Sequence, residues 1–288
     1  MLFFGLLYLL FSAPVIPLQG VVMMAIYTKG KSTDNATFKL MNLVNCLEIG
    51  HVFCHFFSSF FLFFPLVAIR NDVFVRIVGS ALNTFWITEL PMMALLAVCR
   101  IFIFQGTSRP HQIAIAARVV LVLIILWMIF VLISGCITQN FKFSPPSWQY
   151  DMSASYVQTF VDLELIVVIS SLVIAYCSYL VIVYLIYLKK KRSVSANSRS
   201  NEISILIQYT FTVTYIVIYI ILWHNGTDLF HFHSPGAFAM INCVWIGGAY
   251  ISPVTLLIFN NSIRKECQVL LGMKRKHKIS VAYLAGVT

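Results

Sequence analysis

The chain has 288 residues, 60% of them hydrophobic and only 10% charged, against roughly 25% charged in a soluble domain. One soluble core cannot hide that much apolar surface, and disordered chains are charge-rich and aromatic-poor, whereas this one carries 24 Phe. The net charge of +10 sits on residues that flank apolar runs, so the composition describes a polytopic membrane protein and no nucleic-acid partner.

Seven apolar runs of spanning length follow one another over 2–27, 40–66, 75–104, 113–137, 157–188, 203–223 and 236–260. Each is predicted to be helical, because hydrocarbon offers no partner for an open backbone. The first run is too long for a signal peptide, has no basic start and is followed by no clear small-residue cleavage site. It is therefore expected to span.

Charge then orients the bundle. Seventeen of the twenty Lys and Arg residues lie between spans one and two, at the junction of spans three and four, in the 189–202 loop, or in the tail; only Arg70, Arg76 and Lys142 lie on the other side. The positive-inside rule puts the N-terminus outside and the C-terminus in the cytoplasm. The outer 138–156 loop contains Ser144-Pro145-Pro146-Ser147-Trp148, a stiff segment able to cap a pocket; Trp148 and Tyr150 also suit interfacial anchoring. The inner loop carries Lys190-Lys191-Arg192-Ser193-Val194-Ser195, a basic membrane flank whose serines suit a basic-directed kinase. Six of the seven cysteines lie in apolar stretches, in no disulfide or zinc spacing.

Ionisable groups inside a span are costly and normally face the bundle interior. Glu48, about nine residues into span two, lies roughly 13 Å deep. Glu89, about fourteen residues into span three, reaches a similar depth, so the two could share a proton or a cation, or bond separately to neighbouring helices. With Ser252 of span seven they form an expected midplane polar cluster. His51 and His55 follow Glu48 on one helical face, as a polar stripe or half of a metal site whose second half no other span supplies. No lysine lies inside a span, which removes a retinal-type Schiff base. No cofactor or metal site is expected.

Arg100 closes span three in Ala97-Val98-Cys99-Arg100-Ile101. It either snorkels to the headgroups or faces the interior, where a cytoplasmic partner docks. Glu89, Trp86 and Met93 share nearly the same face. Ser252-Pro253 makes span seven a candidate hinge or a passive kink. Asn261-Ser262-Ile263-Arg264-Lys265-Glu266-Cys267-Gln268-Val269-Leu270-Leu271 reads as a short amphipathic helix on the inner leaflet. Cys267 in it is a palmitoylation candidate, or simply an unmodified thiol. Asn225-Gly226-Thr227 is the one sequon on the expected outer side, since Asn35 and Asn260 face in.

Taken in order, several segments carry a family resemblance. They are Phe38-Lys39-Leu40-Met41-Asn42 entering span two, Leu95-Leu96-Ala97-Val98-Cys99-Arg100 closing span three, Ser147-Trp148-Gln149-Tyr150-Asp151, and Ser252-Pro253 running to Asn260-Asn261-Ser262-Ile263-Arg264. The chain to about residue 271 resembles a seven-helix G-protein-coupled receptor, most of all the nematode serpentine chemoreceptors, class T or a neighbour. The resemblance implies an all-α seven-transmembrane bundle over 1–271 with a basic cytoplasmic tail over 272–288. It implies residence in the plasma membrane, sensory cilium included, and a role in olfaction. It also implies that Arg100 matches the arginine of the Asp/Glu-Arg-Tyr motif, that Glu48 matches the acidic residue of span two, and that Ser252-Pro253 matches the Asn-Pro-x-x-Tyr hinge. Cys99, Ser252 and Leu256 depart from that pattern, span six lacks the usual proline, and no cysteine pair ties span three to the outer loop.

A receptor that binds a small odorant or a short peptide and activates a heterotrimeric G protein is the leading expectation. A seven-helix channel or carrier is the alternative, but spans one and four have almost no polar stripe to line a path. An enzyme finds no nucleophile–base pair. The expected ligand-binding residues in the outer half are Asn83, Trp86, Glu89, Tyr219, Trp223, Asn242 and Trp245, aromatic walls with a few polar points.

The charge asymmetry generates a topology test. Tags in the 189–202 loop and at the C-terminus are expected to be cytoplasmic, and the 138–156 loop extracellular. Protection of the 138–156 loop from protease added to intact cells, with digestion of the 189–202 loop, would reverse the orientation.

Overall fold

Within hydrocarbon a backbone must satisfy itself, so the long apolar runs become helices. The structure, a computed structural model, describes residues 1–33, 36–105, 110–153, 156–190, 210–225 and 234–273. In chain order its helices are α1 (Leu2–Thr33), α2 (Ala36–Phe63), α3 (Pro65–Arg70), α4 (Asp72–Gln105), α5 (Pro110–Thr138), α6 (Val157–Lys190), α7 (Thr210–Asn225), α8 (Pro235–Phe259) and α9 (Asn261–Leu270). Between α5 and α6 lie two strands, β1 (Phe141–Ser144) and β2 (Ser147–Tyr150). Among the described residues, α1, α2, α4, α5, α6 and α8 are long and apolar enough to cross a membrane. The described part of α7 is shorter, because the first residues of the expected sixth span, 203–209, lie outside the described residues. So do Ser193, Ser195 and the tail beyond 273.

Local chemistry sets the helix ends. Pro65 stops α2 and opens α3 from its first turn; α3, which the hydropathy pattern does not reveal, buries none of its residues. Ser234 caps α8, its side chain accepting from the Ala237 amide at 3.2 Å, with Pro235 at the first helical position. Asn260 Oδ1 accepts from both the Ser262 and Ile263 amides at 3.1 Å, starting α9 directly after α8. At the far end of α9, Gly272 takes φ +71°, its amide bonds Val269 O and the Met273 amide bonds Gln268 O. This 6→1 and 5→2 pair needs a left-handed residue, which glycine supplies without steric cost. The amphipathic reading of α9 holds: Ile263 and Cys267 turn inward while Arg264 and Lys265 are exposed.

The helix α4 occupies the centre, packing against α2, α5, α6 and β1. The helix α5 is peripheral: only 11% of its most apolar window is buried, leaving a Val/Leu/Ile surface for lipid. The loop between α5 and α6 is an antiparallel hairpin pairing Phe143 with Trp148 and Phe141 with Tyr150.

That hairpin plugs one end of the bundle. Trp148 is 0% exposed, its Nε1 donating to Ser58 Oγ of α2 at 2.7 Å. Its ring lies against Phe61, Phe141 and Phe143. A Cβ on Gly79 would stand 2.6 Å from Trp148 Cζ3, so glycine is what lets α4 approach the indole. Pro146 O accepts from Tyr8 of α1 at 2.7 Å and from Asn242 of α8 at 3.3 Å. Asp151 accepts from Lys142 at 2.9 Å and from Arg76 of α4 at 3.1 Å. The Lys142 ammonium, then Ser153 and Arg76, hold the Asp151 carboxyl well below the usual carboxylate range. Of the two roles open to Trp148, capping is the one the fold uses, and no side of the indole is left for the membrane interface.

Two variants test the plug. Trp148→Ala is expected to cost about 3–5 kcal/mol, read as a lower Tm and reduced surface expression. Gly79→Ala is also expected to destabilise, and the loss should shrink in a Trp148→Leu background, because the clash partner is gone. Equal losses in both backgrounds would mean that Gly79 serves something other than the indole.

Candidate functional site

Beneath the hairpin, aromatic residues from three helices close a box. Trp86 of α4 and Trp245 of α8 meet edge to face with centroids 5.7 Å apart. Tyr219 of α7 lies 5.1 Å from Trp86 and stacks on Trp245 at 5.4 Å. Trp223, one turn further along α7, reaches Trp245 at 5.2 Å. His51 and His55 of α2 form the remaining wall, each 4.9 Å from Trp245, with their Nε2 atoms 3.2 Å apart. One imidazole donates there and the other accepts. The Trp245 Nε1 is buried without an acceptor among the described residues.

The floor of the box is acidic. A cavity of about 20 Å3 is lined by Glu48, Glu89, His51, Trp86, Tyr219 and Trp245, with Thr212, Tyr215 and Ile216 from α7 and Gly248, Ala249 and Ile251 from α8. That volume holds about one water molecule. Glu48 and Glu89 are 3% and 6% exposed, and both line this cavity.

Proline explains how Glu48 is held. Pro253 has no N–H, so Ala249 O, one turn earlier in α8, loses its helical donor. Gln19 of α1 fills the vacancy: its Nε2 donates to Ala249 O at 3.0 Å and to Glu48 at 2.5 Å. The kink and the acid are thus joined through one amide. Ser252, the third member of the expected cluster, instead bonds Asn45 Oδ1 at 3.2 Å, also on α2.

A second polar relay descends from the hairpin. The Tyr150 hydroxyl donates to Glu164 of α6 and accepts from Asn83 of α4 at 2.7 Å, while Trp86 also donates to Glu164. Burial, and then the neighbouring Glu164, push the Tyr150 hydroxyl well above its ordinary value, so it stays a neutral donor. A separate cavity of about 20 Å3 lies here, lined by Asn83, Tyr150 and Glu164 among others.

Of the seven expected ligand-binding residues, Trp86, Glu89, Tyr219 and Trp245 line the first cavity, and Trp223 packs on its wall. Asn83 faces the second cavity. Asn242 holds the hairpin tip. Sequence reasoning passed over Gln19, Tyr215 and Glu164; an acid well inside the fifth predicted span was the available signal for Glu164, and nothing in the apolar pattern marks Gln19.

At the other end of α4, Arg100 is 4% exposed, directed into the protein. Cys267 is 3% exposed, on the inward face of α9. Asn225 is exposed at the end of α7, next to His224 in the same helix.

The Gln19 bridge yields a prediction. Gln19→Leu strands the Ala249 carbonyl and the Glu48 carboxyl, at about 1–3 kcal/mol for each buried group left without a partner. Tm is expected to fall accordingly, and Gln19→Glu, which cannot donate twice, should not rescue it. An unchanged Tm in Gln19→Leu would show that the bridge is dispensable.

The model of the serpentine type 7TM GPCR chemoreceptor Srv family matches residues 9–273, from the first span through the helix after the last. A comparison with curated proteins returned no match. The family match narrows the expected likeness, class T or a neighbour, to one such neighbour, and it describes a receptor rather than an enzyme. With six helices among the described residues long and apolar enough to cross a membrane and a seventh, shorter apolar helix beside them, the chain belongs to the Srv family of serpentine 7TM chemoreceptors, multi-pass proteins of the plasma membrane.

Proposed function

We propose that this receptor binds a small external ligand in the box of Trp86, Tyr219, Trp223 and Trp245, and that occupancy is relayed to a heterotrimeric G protein at the opposite end of the bundle. The observation that carries the reading is that three large aromatic side chains from α4, α7 and α8, backed by Trp223, line a cavity floored by buried carboxyl groups. Aromatic walls with few polar points are the usual chemistry of a small-molecule site. The site is nearly full of side chain, so a ligand larger than water must displace Tyr219 or Trp245. Both touch α7 or α8, and α8 is kinked at Pro253, whose freed carbonyl is tied to Glu48. Ring displacement in the box therefore acts directly on the hinge. A cAMP or calcium readout in expressing cells, screened against volatile and water-soluble chemicals, tests the reading. Responses that survive Trp86→Ala and Trp245→Ala unchanged would place the ligand elsewhere.

Arg100 supplies the expected G-protein contact. Outward tilting of the helices around α4 would open Arg100 to carbonyls at the C-terminal end of a docking helix, where the dipole is negative. A charged hydrogen bond of this kind contributes roughly 1.5–3 kcal/mol, about ten- to over a hundredfold in coupling. Cys267 and Asn225 remain the candidate sites of palmitoylation and glycosylation, the former requiring α9 to lift from the bundle.

Arg100→Ala and Arg100→Lys are both expected to reach the surface and bind ligand, yet to signal poorly, since lysine lacks the planar fork. Normal signalling by Arg100→Lys at equal surface expression would remove Arg100 from the coupling site.

A further inference from the structure

We infer that the ligand group recognised by the floor of the box is a small ammonium cation, either ammonium itself or the head group of a short primary amine. This deepens the receptor reading above and rests on it.

Glu48 and Glu89 line one cavity, and the facing side chains from the other elements are His51, Trp86, Thr212, Tyr215, Tyr219 and Trp245; none is Lys or Arg. Glu48 has the Gln19 amide. Glu89 has nothing comparable: it is buried, it lines the cavity, and among the described residues no group donates a hydrogen bond to it. Buried carboxyl groups are normally paired or protonated, and a cation between these two would pair both.

The walls select the kind of cation. A hard metal ion asks for six or more oxygen ligands. Beyond the two carboxyl groups the lining adds the hydroxyls of Thr212, Tyr215 and Tyr219, of which Tyr215 donates to Val244 O, and among the described residues no cluster of three His, Cys, Asp or Glu side chains is placed to hold a metal. The cavity offers instead the rings of Trp86, Tyr219 and Trp245 and the imidazole of His51. Aromatic faces attract ammonium groups, most strongly where water is excluded, and an ammonium brings its own N–H donors to Glu89 and Glu48. The volume of about 20 Å3 suits one water-sized group, so an ammonium enters without moving a ring. A longer amine must displace Tyr219 or Trp245 to make room for its tail.

The test uses the purified full-length receptor at fixed neutral pH and constant ionic strength, with thermal unfolding followed by exposure of its buried cysteines. The probes are ammonium chloride and methylammonium chloride, against potassium chloride, sodium chloride and methanol, the neutral counterpart of methylamine. Ammonium and methylammonium are expected to raise Tm saturably, and potassium, sodium and methanol are not. Glu89→Gln keeps the shape and removes the charge, and should weaken the apparent affinity for methylammonium about ten- to a hundredfold. The wild-type selectivity decides the matter even if that variant does not fold. Equal shifts with potassium or sodium would assign an inorganic cation and overturn the inference. An equal shift with methanol, or no saturable shift with any probe, would overturn it too. Binding is read here without signalling, so the two failures separate. A selective ammonium shift in a receptor that never activates a G protein keeps the site and removes the coupling, whereas G-protein responses to neutral odorants with no ammonium shift do the reverse.

Discussion

A polar group buried in hydrocarbon must find its partner inside the protein, and most of this receptor's specific architecture follows from that rule. Pro253 shows it at the scale of one atom. The proline removes a donor from α8, the orphaned Ala249 carbonyl takes the Gln19 amide, and the same amide holds Glu48. Three helices are tied together by the repair of a single missing hydrogen bond.

The hairpin applies the same rule at the scale of a loop. Its tip carbonyl, at Pro146, gathers Tyr8 from α1 and Asn242 from α8. Trp148 reaches α2, Tyr150 reaches α4 and α6, and Asp151 reaches α4. A two-stranded hairpin is marginal alone; here, five helices supply its partners. No disulfide is present among the cysteines, and the work of fixing the loop against α4 falls to the Trp148–Gly79 contact and to the charges of Asp151, Lys142 and Arg76. The aromatic box lies below the hairpin in the same bundle, where cation–aromatic and carboxylate interactions are stronger than in water.

Legibility in the sequence varied with the physics involved. Span positions depend on length and hydropathy, and six of the seven expected spans match helices whose ends lie within a few residues. Glu48, Glu89 and Trp86 were legible for a related reason: a costly residue in a span, or a large ring at helical spacing, announces an inward face. The hairpin was not, because four-residue strands carry too little alternation to distinguish them from a stiff loop. Gln19 carries no signal in an apolar run, and its importance arises only from Pro253, more than two hundred residues later.

The sequence by itself determined that the chain carries repeated spans long and apolar enough to cross a membrane, which ionisable residues fall inside them, and, through ordered motifs, its kinship with the serpentine chemoreceptors. These are one-dimensional properties, set by local hydropathy and spacing. Only the tertiary structure decided that Trp148 is a plug rather than an anchor, that Asn242 serves the hairpin while Tyr219 and Trp245 enclose a cavity, and that Glu89 faces that cavity without a donor among the described residues. Each of those outcomes depends on which side chains from distant helices arrive at the same point, and packing, not local pattern, chooses the partners.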